Sequence, residues 1–281
     1  GVLTIQQDGQ TVGTFSANSC DNQTINITSP VVPDITGLQN QIDSLQNLMN
    51  HMLNAVNDIN NANFQCGTSK MVDADGNQYE TVQIGTQCWT KTNMRVAAGT
   101  REDVYSTSLP YYHVDTTLDA ATYGYYYNWE AAKLVCPAGW NLPTRADFDT
   151  LTSVVLRQVN QGEYCYTPAL AATTGWQSST SSCYPGGDTA SNNSTGFAAL
   201  PIGYYNMALK SSSYVGNRAL LWTISESSST GSYACKIDYD MGYIQLGTHY
   251  RAAGIPVRCM REVSAEEASI NLHDSLATVA F

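Results

Sequence analysis

The stretch Cys136-Pro137-Ala138-Gly139-Trp140-Asn141-Leu142-Pro143-Thr144-Arg145-Ala146-Asp147-Phe148-Asp149-Thr150-Leu151 contains the one clear helix start in the second half of the chain. Thr144 can accept a hydrogen bond from the backbone of the first turn, and Asp147 stands three residues on, where its carboxylate can reach back. Phe148, Leu151, Val154 and Val155 then recur at helical spacing. Everything around this helix from Phe64 onward is rich in alternating short runs, Gly, Ser, Thr and Asn. The expected class is therefore α+β, with one principal helix against short strands and long surface loops. Serine- and threonine-rich pieces at 178–182, 191–195, 211–213 and 227–232 read as such loops.

Upstream the period changes twice. Val2 to Gln7 and Gln10 to Phe15 alternate around Asp8-Gly9, a strong hairpin signal, and Thr24 to Thr28 alternates again. A small β module is expected over residues 1–30. Over residues 34–62, Ile35, Leu38, Ile42, Leu45, Met49, Met52, Val56 and Ile59 fall at alternating steps of three and four. The residues between them are mostly amides, Ser and Asp, and Leu48 and Leu53 widen the apolar stripe. A coiled-coil stalk is expected, three-stranded because of the widened stripe; the alternative is a helix docked on its own domain. The globular domain then covers 63–262. A tail at 263–281 carries a Ser264-x-x-Glu267 capping signal, and its apolar pattern leaves helix and strand both open.

The bulk numbers exclude several function classes. The 281 residues carry 13 Lys and Arg against 24 Asp and Glu, a net charge of −11, so a phosphate backbone or anionic membrane is repelled. No run of 18 apolar residues exists to span a bilayer. Only 13% of residues are charged, and solubility rests on hydroxyls and amides. The eight cysteines, at 20, 66, 88, 136, 165, 183, 235 and 259, lack the Cys-x-x-Cys spacing of thiolate metal or redox sites. They are expected to form disulfides, which places the protein outside a reducing cytoplasm; a cell or virion surface is the location expected together with the family resemblance given below.

Several segments resemble a known family. Cys66-Gly67-Thr68, Val72 to Tyr79, Thr81 to Trp89, Tyr123-Gly124-Tyr125-Tyr126-Tyr127-Asn128-Trp129-Glu130-Ala131-Ala132, Cys136 to Thr144, Thr195 to Pro201, Leu221-Trp222-Thr223 and Gly254-Ile255-Pro256-Val257-Arg258-Cys259 are similar, in order, to the Fibrobacter succinogenes major paralogous domain. The resemblance runs over about residues 64–262. The opening hairpin also resembles β repeats that precede such domains in surface proteins of Bacteroidota and in fibres of their phages. The resemblance implies a C-type-lectin-like fold, related in layout to formylglycine-generating enzymes and to retroelement-diversified ligand-binding proteins. It implies a staple from Cys136 to Cys259, beside which Cys66 with Cys88 and Cys165 with Cys183 are expected as local pairs, leaving Cys20 and Cys235 unassigned.

The expected function is adhesion or receptor binding, without catalysis. The four histidines (51, 113, 249, 273) are scattered, and neither a His-Glu-x-x-His nor a Gly-x-Ser-x-Gly motif occurs. The sugar-binding triplets of calcium-dependent lectins are absent. Asp73-x-Asp75-Gly76-Asn77 reads as a turn before it reads as a structural Ca2+ loop, because Ile84 stands where an EF-hand needs Glu. No cofactor is expected. In the resembling family the region before the last strand forms the ligand face. Here it offers Trp222, Tyr233, Lys236, Asp238, Asp240, Tyr243, Gln245, His249 and Tyr250. Tyrosine suits recognition because it gives a large contact area for two frozen torsions. The parity of Lys236, Asp238 and Asp240 is expected to face solvent, with Ile237, Tyr239 and Met241 inside. The partners expected are a surface glycan or protein receptor and two further copies of the chain. The alternative is a structural subunit of a surface filament or virion fibre that contacts its neighbours through its terminal segments.

Overall fold

The computed structural model describes residues 2–7, 10–16, 36–62, 64–101, 105–160 and 162–263, with the side chains of Val2, Leu3, Ile5, Gln7, Val12, Phe15, Ser16 and 53–62 outside that description. The sequence expectations for Thr24–Thr28, Ile35, Cys20, His273 and the 264–281 tail, and for the side chains of Leu53, Val56 and Ile59, fall outside it. The chain divides into two compact units, residues 1–55 and 56–281.

In the first unit, β1 (Val2–Gln7) and β2 (Gln10–Ser16) pair antiparallel, with Gln7 opposite Gln10 and a register irregularity at Ile5/Gln6. Helix α1 (Thr36–Ala62) begins in this unit and runs 27 residues, about 40 Å at 1.5 Å per residue. Its heptad positions Leu38, Ile42, Leu45, Met49 and Met52, with Leu48 beside them, are exposed; Leu45 is 66% exposed.

The second unit is an α+β domain held by three disulfides. Two short hairpins open it: β3 (Met71–Val72) with β4 (Gln78–Tyr79), then β5 (Thr81–Ile84) with β6 (Gln87–Thr90). β7 (Tyr112–His113) pairs β8 (Tyr126–Tyr127) around the one-turn helix α2 (Ala120–Tyr123). Helices α3 (Trp129–Ala132), α4 (Arg145–Val159) and α5 (Thr167–Leu170) follow. The closing strands are the β9 (Tyr204–Asn206) and β10 (Ser211–Ser213) pair, the three-stranded sheet β11 (Arg218–Glu226), β12 (Gly231–Asp238) and β13 (Gln245–Tyr250), and β14 (Met260–Glu262), which joins β6.

Helix α4 begins where the capping signal stands. Thr144 Oγ1 accepts from Asp147 N at 3.1 Å, and Asp147 Oδ2 accepts from Thr144 N at 2.6 Å. Phe148, Leu151 and Val155 are buried against the sheet. The sheet is covered on both faces near its middle. Ala219, Leu221, Cys235 and Ile237 pack in the cluster that holds α4, whereas Leu220, Trp222 and Ala234 pack with Trp129, Tyr127 and Trp140 on the other side.

Cys66 joins Cys88, Cys136 joins Cys259, and Cys165 joins Cys183, the pairs that the resemblance and the sequence led us to expect. Such bonds fit a compartment outside the reducing cytoplasm. Cys235 is a buried free thiol, and burial pushes its pKa up. Among the described residues no helix is long and apolar enough to cross a membrane. The Ser-rich segment 211–213, expected as loop, is strand β10, and Gly231-Ser232 opens β12. Serine is indifferent enough to either state that pairing with Tyr204–Asn206 decides it.

Candidate ligand-binding site

Strand β12 is central between the edge strands β11 and β13, so cross-strand register decides which side chains share a face. Ser232 lies opposite His249, Ala234 opposite Gly247, and Lys236 opposite Gln245. On the far side, Trp222 lies opposite Ala234 and Arg218 opposite Asp238.

A cleft of about 500 Å³ opens where the last residues of β13 meet the β11–β12 turn and β9. Its floor is Gly231. A methyl there would come within 2.8 Å of Thr248 Cγ2 and 2.9 Å of Ser227 Oγ, so glycine is what keeps the floor open. The buried Ser227 Oγ beside it has no hydrogen-bond partner. Tyr204 and Asn206 form one wall, brought there by a two-way backbone bridge in which Tyr205 N donates to Gly254 O and Gly254 N to Tyr205 O, each at 2.8 Å. Tyr105 and Tyr250 stand at the rim, 57% and 68% exposed. Ser228, Thr230, Thr248 and His249 complete the polar lining, and Met207, Ala252 and Ala253 add apolar surface.

The wall formed by the β11–β12 turn is fixed from behind by Arg251. Its guanidinium lies 4.2 Å from the Trp129 ring centroid and donates to Ser232 Oγ, Glu226 Oε2 and Ser228 O at 3.1, 2.7 and 2.8 Å. The opposite wall is held by Tyr214, whose backbone is left-handed at φ 62°. That conformation is costly for a bulky side chain. The Tyr214 ring lies under Arg218 at 3.8 Å and near Tyr204, with centroids 6.0 Å apart. His249 meets Tyr204 edge to face at 6.4 Å and Trp222 at 6.5 Å. Burial, with smaller contributions from Arg218 and Lys236, holds the His249 pKa below its ordinary value. At neutral pH its ring is uncharged and offers one donor and one acceptor.

Of the residues expected at a ligand face, the structure brings only His249 and Tyr250 to this cleft. Trp222 is fully buried and donates from Nε1 to Tyr127 O at 2.7 Å, so it is a core residue and no ligand can touch it. Asp238, expected to face solvent, is buried between Arg218 at 2.7 Å and Lys236 at 2.8 Å. The alternation fails because β12 is packed on both faces, and a carboxylate is tolerated there only when paired. Asp240 is exposed in the turn beyond the strand. Tyr233 lies under Arg145 at 4.2 Å, and Tyr243 meets Tyr164 edge to face at 5.4 Å while accepting from Gln245 Nε2 at 3.4 Å.

Sequence reading missed Tyr105, Tyr204 and Asn206, which reach the cleft only through pairings between distant segments. Thr230 and Thr248 lay within the stretch it singled out, but threonines there carried no distinguishing signal. The Asp73 loop is a turn. Asp73 Oδ1 accepts from Asp75 N and Asn77 N at 3.0 and 2.9 Å, and Oδ2 accepts from Tyr79 Oη at 2.6 Å. Among the described residues no three His, Cys, Asp or Glu side chains gather where they could hold a metal ion.

Comparison with curated proteins and with solved structures finds no match to this chain. Residues 82–261 match the Fibrobacter succinogenes major domain, most of the length of the disulfide-bonded unit and more than half of the chain, and the chain belongs to that family.

Proposed function

We propose that this chain is an extracellular binding protein, an adhesin or receptor-binding subunit at a bacterial or phage surface. In this reading it displays a C-type-lectin-like domain on a three-stranded coiled-coil stalk and holds its ligand without bond chemistry. The observation that carries the reading is the cleft beside β13. Aromatic rings, hydroxyls, one amide and an uncharged imidazole converge there around a volume that fits a small-molecule subsite. Family membership and the three disulfides support a place outside the cell.

The stalk rests on α1. Its apolar stripe at Leu38, Ile42, Leu45, Leu48, Met49 and Met52 is exposed in the single chain, and the heptad spacing is what two further copies would cover. Each such side chain gains roughly 1.5–3 kcal/mol when fully buried. Three sites on one stalk raise the apparent affinity for a repetitive target by about 10²-fold or more.

The test is to probe immobilised glycans and purified surface proteins with the full chain and with an Ile42→Asp/Leu45→Asp variant. The reading expects retention of at least one target unaltered, and a loss of about 100-fold or more in apparent affinity for the variant. Failure to retain any target, or chemical conversion of the target, contradicts it.

A further inference from the structure

The lining of the cleft constrains the class of ligand, and this step rests on the binding reading above. No Asp, Glu, Lys or Arg lines it. Arg251, which fixes the turn behind the wall, is paired with Glu226. A phosphate, carboxylate or ammonium ligand would therefore lose its hydration with no charged side chain in the lining to pair with, and Arg218 and Lys236, whose charges reach His249, are already paired with Asp238. The net charge of −11 opposes anionic ligands further.

An apolar ligand fits no better. Among the described residues, the hydroxyls of Tyr204, Thr230 and Thr248 have no hydrogen-bond partner, and covering them with hydrocarbon would strand them. Asn206 is half committed: its Oδ1 accepts from Ala208 N and Leu209 N, both at 3.0 Å, which leaves its Nδ2 as a donor. His249, uncharged because burial lowers its pKa, adds a donor and an acceptor.

The ligand that matches is ring-shaped, uncharged and covered in groups that both donate and accept, with apolar C–H faces for the tyrosine rings. We propose that the cleft is a subsite for an uncharged saccharide, held without a metal ion by the faces of Tyr105, Tyr204 and Tyr250. The hydroxyl, amide and imidazole groups of Asn206, Thr230, Thr248 and His249 bond to its hydroxyls.

The experiment is binding of the full chain, in the presence of EDTA, to an array of neutral glycans alongside sialylated and sulfated versions of the same glycans. The variants are Tyr250→Ala and Tyr105→Ala, both at rim positions exposed enough that no core contact is lost, and Tyr250→Phe. Circular dichroism checks that each is folded. The proposal expects at least one neutral class to bind in EDTA and its anionic version to bind more weakly. Tyr250→Ala should weaken binding about tenfold or more, with Tyr250→Phe keeping most of it.

Binding that requires Ca2+, that prefers the anionic glycans, or that ignores both alanine variants overturns the proposal while leaving a binding protein. The same holds if no glycan binds but a surface protein or peptide does, for which the edge strand β13 offers a pairing site. If neither glycans nor surface proteins bind, the binding reading itself falls.

Discussion

Replacing Cys136 and Cys259 together by alanine removes the bond that ties the start of the α4 segment to the residue before β14, across 123 positions. In the chain-entropy account the stabilisation grows with the logarithm of the loop. This gives about 5 kcal/mol for 123 residues, and about 3 kcal/mol for the 18-residue Cys165–Cys183 loop. Cys259 is fully buried, so the cavity left by its sulfur adds to the larger cost. Typical domains have only 5–15 kcal/mol in total, so the long-loop variant should sit close to the unfolding threshold.

Urea unfolding followed by tryptophan fluorescence isolates this domain, because all five tryptophans lie between Trp89 and Trp222. The expected result is a midpoint lowered markedly more by Cys136→Ala/Cys259→Ala than by Cys165→Ala/Cys183→Ala, by about 1.5 kcal/mol or more. Equal losses, or a larger loss from the short loop, would refute the reasoning that the long staple organises the fold.

Two further outcomes follow from single buried groups. Arg258 is completely buried and donates to Asn93 Oδ1, Thr90 O, Phe197 O and Ala198 O at 2.7–2.9 Å; burial pushes its pKa down to about 9, so it stays charged at neutral pH. Lysine cannot span those four acceptors with one nitrogen, so Arg258→Lys should cost roughly 2–6 kcal/mol by urea unfolding, and a cost under about 1 kcal/mol would contradict the accounting. His249 has a folded pKa below its unfolded one, so its contribution to stability is present above the ordinary histidine value and lost as pH falls below it. The urea midpoint of the natural chain should therefore drop more between pH 7 and pH 5 than that of His249→Gln, and identical drops would count against a buried neutral ring.

What the sequence made legible was local or carried by the family resemblance. The capped start of α4 needs only Thr144 and Asp147 three residues apart, and the α1 periodicity can be read without knowing any partner. Cys136 with Cys259 followed from the resemblance. The ligand face was harder to read, because β12 is buried on both sides and its alternation says nothing about solvent. Asp238 is inside because Arg218 and Lys236 neutralise it, which depends on strand pairing, and Trp222 is inside because Tyr127 O accepts its indole N–H. Tyr204 and Tyr105 come to the cleft from other parts of the chain, through contacts that a single sequence does not display.

Light scattering of the full chain tests most directly the claim that this domain is displayed in threes for binding. The account predicts a mass about three times 30.5 kDa that falls to one chain in the Ile42→Asp/Leu45→Asp variant. A mass of 30.5 kDa for the unaltered chain would contradict the stalk, and with it the avidity on which the proposed function depends.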